Sequence, residues 1–365
     1  MPRLTGLVVW FIVTGALSAQ EAHRYSGPDT LLAHRWTWAV EEGARTGADS
    51  FWIGYSIRRL MDDDSYIVSG SVVSGTKGTR TSLYEILGLH TPTGTGDRDG
   101  SRMNEGTNVF KRMKDVALLF LLSGTRSGEP NIIGVKLCNM ELSVDLKKHP
   151  VLWLGATDDD QSVRHLTNLY KSIREDSEKR RLVEAVGIHQ RSAEVYPFLS
   201  DVLKSRDADD VRAQAAFWVS QQHNPDALSF LMDIAQHDPS AKVREQAVFA
   251  VSQTDGDAST DALITLVRKG DNAKVRGKAA FWLGQKASQK AVSTLEDIVS
   301  SDEETEVQRQ ALYGLAQIKS REGIDRLIKI AENHPNPRIR RQAIQILGQS
   351  DDPKALDALI DIARK

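Results

Sequence analysis

The chain has 365 residues, with 47 Lys and Arg against 49 Asp and Glu and a formal net charge of -2. That balance, with no polybasic tract, leaves no electrostatic case for a dedicated nucleic-acid binder. The apolar fraction of 40% is ordinary for a folded protein, and the single cysteine, Cys138, excludes an intrachain disulfide, so stability must come from apolar packing.

The chain opens Met1-Pro2-Arg3, continues through an apolar run from Leu4 to Ala16, and reaches Leu17-Ser18-Ala19-Gln20. One early charge, an apolar core and a small residue at the cut describe a secretory signal peptide over 1–19, with cleavage expected after Ala19. The run is shorter than the roughly 20 residues a membrane span needs. The alternatives are an uncleaved anchor or a buried N-terminal helix. The expectation is a periplasmic or secreted chain with no membrane span after cleavage.

Residues 27–154 read as a small α+β domain of unknown type. Pro28-Asp29-Thr30 opens a helix through Leu31, Leu32, Trp36, Trp38 and Ala39. Phe51, Ile53, Tyr55 and Ile57 alternate with Trp52, Gly54, Ser56 and Arg58, the period of a half-buried strand. Tyr66, Ile67 and Val68 make a shorter strand. Val116 to Leu122 and the alternation Ile133, Val135, Leu137 are expected to form a hairpin with a long loop between them. Cys138 lies in this alternating run, which favours a half-buried strand residue over a thiol nucleophile. Val151 to Leu154 is the last apolar patch of the domain.

Chemistry is thin here. Gly94-Thr95-Gly96-Asp97-Arg98-Asp99-Gly100 lacks the closing Lys-Ser/Thr of a phosphate loop. As a calcium loop it would need Glu at position twelve and has Gly106. The stretch Thr91–Gly106 therefore reads as a flexible surface loop. Asp62-Asp63-Asp64 and Asp158-Asp159-Asp160 fit turn and helix-cap duties. The nine histidines show no zinc or metalloprotease spacing, and no Gly-x-Ser-x-Gly elbow occurs. No catalytic, cofactor or metal residues are assigned.

Residues 158–178 are expected to form a capping helix, with Val163, Leu166, Leu169, Tyr170 and Ile173 at helical spacing, and a linker. From 179 to 365 one pattern recurs. Val211-Arg212, Val243-Arg244, Val275-Arg276, Val307-Gln308 and Ile339-Arg340 follow at steps of 32 residues. Ala215, Ala247, Ala279, Ala311 and Ala343 keep the same step. A fixed period of this size marks a solenoid of stacked helix pairs. Leu182, Val183 and Val186 imitate the pattern one residue out of register, giving six pairs with the first degenerate. The fold is therefore mainly α, an α/α solenoid of about six pairs behind a small α+β domain.

These residues resemble HEAT repeats, in the short form first associated with phycobilisome lyases. The likeness rests on the Asp- or Asn-containing turn, the Val-Arg pair, the alanine beyond it and closing pairs such as Leu283-Gly284 and Leu347-Gly348. It implies that Arg212, Arg244, Arg276 and Arg340 pair with acidic or backbone groups of the stack. Gln308, with Arg309 one place on, departs from the pattern. The resemblance also implies that the Val-Arg helices line a concave side where a protein or peptide partner docks. Lyase chemistry does not transfer with the fold.

A second recurrence goes beyond that pattern. Gln221, Gln253, Gln285, Gln317 and Gln349 keep the 32-residue step, as do Gln214, Gln246, Lys278, Gln310 and Gln342. Between them stand Phe217, Phe249, Phe281, Tyr313 and then Gln345, with Trp218 and Trp282 beside them in alternate units. Spacings of three and four set a Gln, an aromatic and a Gln on one helix face. Two readings stand: inter-repeat packing with an amide ladder, or a binding groove for an extended partner. The sequence thus points to an exported non-enzymatic scaffold. Its rival is an enzyme with a site in or beside the N-terminal domain, the solenoid serving as arm. A bilin-type lyase, by resemblance alone, sits poorly with export.

Overall fold

The computed structural model describes residues 22–28, 30–68, 71–74, 81–90, 111–123, 131–254, 256–286, 288–318 and 321–364. The expected signal peptide over 1–19 and the expected Thr91–Gly106 loop lie outside them. The chain divides into two compact units, Met1–Phe198 and Leu199–Lys365.

The first unit runs β1 (Ala22–Arg24), α1 (Leu32–Arg45), β2 (Ser50–Asp62), β3 (Ser65–Val68), β4 (Ser71–Ser74), α2 (Leu83–Ile86), β5 (Lys111–Ser123), β6 (Ile132–Asn139), β7 (Val151–Ala156), α3 (Asp159–Ser172) and α4 (Asp176–Gly187). Helix α5 (Val195–Lys204) spans the division. Seven strands make one sheet in the order β1-β7-β2-β5-β6-β3-β4. β7 lies parallel between β1 and β2, and the remaining pairs are antiparallel. The hairpin expected from Val116–Leu122 and Ile133–Leu137 is β5 against β6.

The expectation for β2 needs correcting. Instead of one buried face, every residue from Phe51 to Ile57 is buried. The reason is its central place. The register pairs Phe51 with Leu122, Ile53 with Phe120 and Tyr55 with Leu118, so these side chains share the face that α1 covers. There Trp36 meets Phe120 edge-on at 5.3 Å. The opposite face is covered by Leu83, Tyr84 and Leu87 of the α2 segment with Met140 and Leu146, around Trp52 and Trp153. Gly54 is required on that face, since a Cβ there would stand 2.5 Å from Leu119 and 3.0 Å from Trp153. Cys138 belongs to the same cluster and is fully buried, which lifts its thiol to about 12 and leaves it unreactive.

The N-terminus of α1 also differs from expectation. Its cap is Leu31, which makes no side-chain cap bond, so the helix starts past Pro28; Asp29 lies outside the described residues. Arg35, buried on the α1 face that carries Leu32, Trp36 and Ala39, donates to the Leu154 and Ala156 carbonyls at 2.6 and 3.0 Å.

The second unit holds α6 (Asp209–Ser220), α7 (Ala227–His237), α8 (Ala241–Gln253), α9 (Asp257–Lys269), α10 (Ala273–Gly284), α11 (Gln289–Ser301), α12 (Thr305–Gln317), α13 (Arg321–Asn333), α14 (Pro337–Leu347) and α15 (Pro353–Arg364). Taken in order, α4/α5 through α14/α15 are six helix pairs. Start signals are local: Ser240, Asn272 and Asn336 accept backbone N–H bonds at the heads of α8, α10 and α14. Val211, Val243, Val275, Val307 and Ile339 and the five following alanines are all fully buried, or within a percent of it. These small residues let the first helices of successive pairs approach closely. At one point α10 and α12 touch backbone to backbone, where a Cβ on Gly284 would lie 2.2 Å from the Gly314 carbonyl oxygen.

Candidate partner-binding face

The first helices of the second unit, α6, α8, α10, α12 and α14, carry the repeated arginines at their heads and the aromatic-amide stripe along one side. The arginines divide into two kinds. Arg212 forms an ion pair with buried Asp238 and donates from Nε to the Leu203 carbonyl at 3.0 Å. Arg276 holds Asp302 with two bonds, 2.9 and 3.2 Å, and adds the Gly270 carbonyl at 3.0 Å. In the second and fifth of these units Arg244 and Arg340 cap the preceding turn through carbonyls alone. Arg244 reaches those of Asp238 and Pro239, and Arg340 those of His334 and Pro335. Gln308 is buried in the corresponding slot, while Arg309 turns to Glu306 of its own helix at 2.8 Å. Beside the Arg276 rung opens a polar groove of about 450 Å³ whose cations Arg268, Lys269 and Arg276 are matched by Asp297, Asp302 and Glu303.

The aromatic positions line up as rings. Phe217, Phe249, Phe281 and Tyr313 are each half-buried. Phe217 and Phe249 stack with centroids 6.2 Å apart and planes within 9°. Phe249 meets Trp282 at 4.8 Å, and Trp282 meets Phe281 edge-on at 5.2 Å. Trp218 stands edge-on to Phe217 at 5.3 Å, buried, with its indole N–H lacking a partner. The structure thus brings Phe217, Trp218, Phe249, Phe281 and Trp282 into one contiguous row.

The glutamines fall into two sets. Gln221, Gln253, Gln285 and Gln317, at the ends of the first helices, are all exposed. Gln221 and Gln253 donate to the hydroxyls of Ser220 and Ser252 at 3.2 and 3.1 Å. Gln214, Gln246 and Gln310, one turn before the rings, are half-buried, and Gln310 donates to Glu306 at 2.9 Å. No ladder of glutamine joined to glutamine is formed among the described residues. The charged neighbours on these helices are neutralised across units, Lys242 with Asp210 and Lys278 with Glu245.

A second polar constellation escaped the sequence reading. In the first unit Tyr55 hydrogen-bonds Ser162 at 2.9 Å, and His189 Nε2 lies 2.8 Å from the same hydroxyl. His189 Nδ1 faces the Val186 carbonyl at 3.1 Å, so it carries the proton and Nε2 accepts. The donation therefore runs Tyr55 to Ser162 to His189 to Val186. Asp159 accepts from the Gln190 and Arg191 N–H groups at 3.1 and 2.9 Å. A serine beside a histidine suggests nucleophilic chemistry, but Ser162 and His189 are 0% and 1% exposed. This network holds α3 and α4 to β2; it is closed to substrate. The apolar face of α1 likewise carried a readable sign, since Arg35 interrupts it at helical spacing.

No helix among the described residues is long and apolar enough to cross a membrane, and no cluster of three or more metal-ligating side chains occurs among them. A family model described as HEAT repeats matches residues 163–252, 196–283 and 292–365. No curated protein matches the chain. Similar solved structures include human deoxyhypusine hydroxylase in complex with glycerol, 18% identical over 55% of this chain and 85% of that one, TM-score 0.25. The complex of CpcE and CpcF of phycocyanin lyase from Nostoc sp. PCC7120 is 16% identical over 53% and 79%, TM-score 0.30. A designed armadillo repeat protein in complex with the peptide (KR)4 is 17% identical over 54% and 91%, TM-score 0.28. At these identities and TM-scores nothing about activity or ligand passes from them to this chain.

Proposed function

We propose that this chain, which belongs to the family of HEAT repeats, is an exported, non-enzymatic scaffold whose first-helix layer binds a protein or peptide. On this reading that layer is the concave one. The observation that carries the proposal is the row of rings in mutual contact, all but Trp218 half-buried, bordered by exposed glutamines. Rings already fixed by their neighbours lose little freedom when a partner covers them, and aromatic anchors contribute disproportionately to interface energy. The exposed amides supply donors and acceptors without a charge that must be stripped of water. Mutual packing of the rings and binding are compatible here, since the stacked row still presents one edge to solvent.

The test replaces Phe217, Phe281 and Gln285 together by alanine. Proteins retained by the wild-type mature chain from its native envelope fraction are compared with those retained by the variant, with circular dichroism as the control for fold. The expected result is loss of the specific set with helicity preserved. If every partner stays bound to a folded triple variant, the face has been misassigned.

A further inference from the structure

The first helices of the second unit carry their charges ahead of the ring positions and none after. Residues 215–221, 247–253, 279–285 and 311–317, the closing turns of α6, α8, α10 and α12 with their last glutamines, contain no Asp, Glu, Lys, Arg or His. These helices pack side by side in that order, so the segments join into one charge-free band that holds the rings and the exposed glutamines. The charges nearer the heads of α6, α8 and α10 are largely answered where they stand. Asp210 pairs with Lys242, Glu245 with Lys278 at 3.3 Å, Arg212 with Asp238 and Arg276 with Asp302. Lys274, exposed and with no ion pair among the described residues, lies two turns before Phe281. At α12 a charge reaches the row: Arg309, paired with Glu306, stands over the Tyr313 ring, 5.9 Å from its centroid.

A ligand charge laid on this band would give up water and meet no opposite charge, a cost that a neutral group does not incur. The exposed amides offer donors and acceptors suited to neutral polar groups. Ring geometry narrows the choice further. Phe217 and Phe249 close a face of each other at 6.2 Å, and Phe281 meets Trp282 edge to face, so the row offers ring edges more than ring faces. Ring edges are the positive side of the aromatic quadrupole and attract carbonyl oxygens, whereas the C–H groups of a sugar need the negative faces. Three helices packed about 8–10 Å apart make a floor that about eight residues of extended chain would cover at about 3.3 Å each. Resting on the reading of this layer as the binding face, we infer that the partner docks through an extended, uncharged peptide segment of about eight residues, laid along the row from α6 to α10. Its carbonyl oxygens meet ring edges and glutamine amides, and any charges it carries fall on its flanks.

Random dodecapeptides displayed on phage test this, selected on the immobilised mature chain and counter-selected on the folded Phe217→Ala/Phe281→Ala/Gln285→Ala variant. The peptides retained are expected to share a run of about eight positions free of Asp, Glu, Lys and Arg. A synthetic copy of one should bind with the same affinity, within twofold, from about 0.05 to about 0.5 M NaCl. One Asp or one Lys placed mid-run should weaken it at least tenfold. On the protein side, Gln253→Glu and Gln253→Lys, at an exposed position, should both weaken binding at least fivefold, and Lys274→Glu should leave it within twofold. Peptides that depend on the rings yet carry charges within the run, an affinity that falls steeply with salt, or indifference to both Gln253 changes overturns this inference and leaves the scaffold reading standing. Peptides retained equally by the triple variant, or none retained at all, overturn both. Binding of maltohexaose or cellohexaose to wild type and not to the triple variant overturns it in favour of a neutral glycan.

Discussion

Arg212 and Arg276 show what recurrence reveals about a side chain and what it hides. Their spacing marked them as structural, yet the acidic partners Asp238 and Asp302, 26 residues further on, are seen only once the pairs are stacked. The Tyr55–Ser162–His189 network was invisible for the same reason, since its members stand 107 and 27 residues apart with no shared period. It has a consequence for acid stability. Burial pushes His189 below its ordinary value, against the opposing pull of Asp159, and burial against Trp36 takes His165 down to about 4. Protonating His189 would also turn Nε2 from acceptor to donor and break the relay. A histidine lowered in the folded state is neutral there while its unfolded counterpart takes up a proton below about 6.5. Stability is therefore intact above pH 6.5 and falls as pH drops toward 4, by on the order of 2–3 kcal/mol for His165. Urea midpoints measured between those limits should decline for wild type and decline less for His165→Phe, which keeps the ring and removes the titration. Equal slopes would show that His165 does not govern the acid limb.

At the scale of elements, boundaries follow from local chemistry and burial does not. The helices of the array were legible because each repeats a buried valine or isoleucine, an alanine and a capped start. Helix α2 carried its own sign, a capping box in which Ser82 and Glu85 satisfy each other's backbone, although four residues give no period to read. β1 and β4 have three and four residues and left no alternation long enough to see. The two-sided burial of β2 depends on what covers each face, which a single strand's pattern does not encode. Gly284 offers a test in which two effects oppose. In a helix interior Gly→Ala ordinarily gains up to about 1 kcal/mol. Here the new Cβ would meet the Gly314 backbone, which cannot rotate away as a side chain would. Overpacking of about 1–3 kcal/mol wins, so Gly284→Ala should lower the thermal midpoint. A raised midpoint would mean that α10 and α12 separate at little cost.

For the whole molecule, the family and the repeat count were readable because a solenoid writes its architecture into its period, whereas the sheet order was not. The binding role of the ring row was one of two readings, and neither spacing nor composition chose between them. The reading of residues 1–19 as a signal makes its own prediction. Intact-mass analysis of the chain recovered from its native cell envelope should give an N-terminus at Gln20. A retained Met1 in that fraction would instead describe an anchor. With one cysteine and no intrachain disulfide, the burden of stability falls on stacking, where each pair contributes chiefly through its neighbours.

The tryptophans add a last consequence. Trp218 and Trp282 sit on alternate first helices, and the helices between and beyond them carry Ala250 and Gly314 in the same slot. The fifth first helix carries Ile346 there, so a tryptophan and a small residue alternate from α6 to α12 and not through α14. Deleting the α8/α9 unit would set the two tryptophan-bearing helices side by side, with two large rings where one large and one small residue now fit. Deleting α8/α9 and α10/α11 together would instead bring Trp218 against Gly314 and keep a large residue beside a small one.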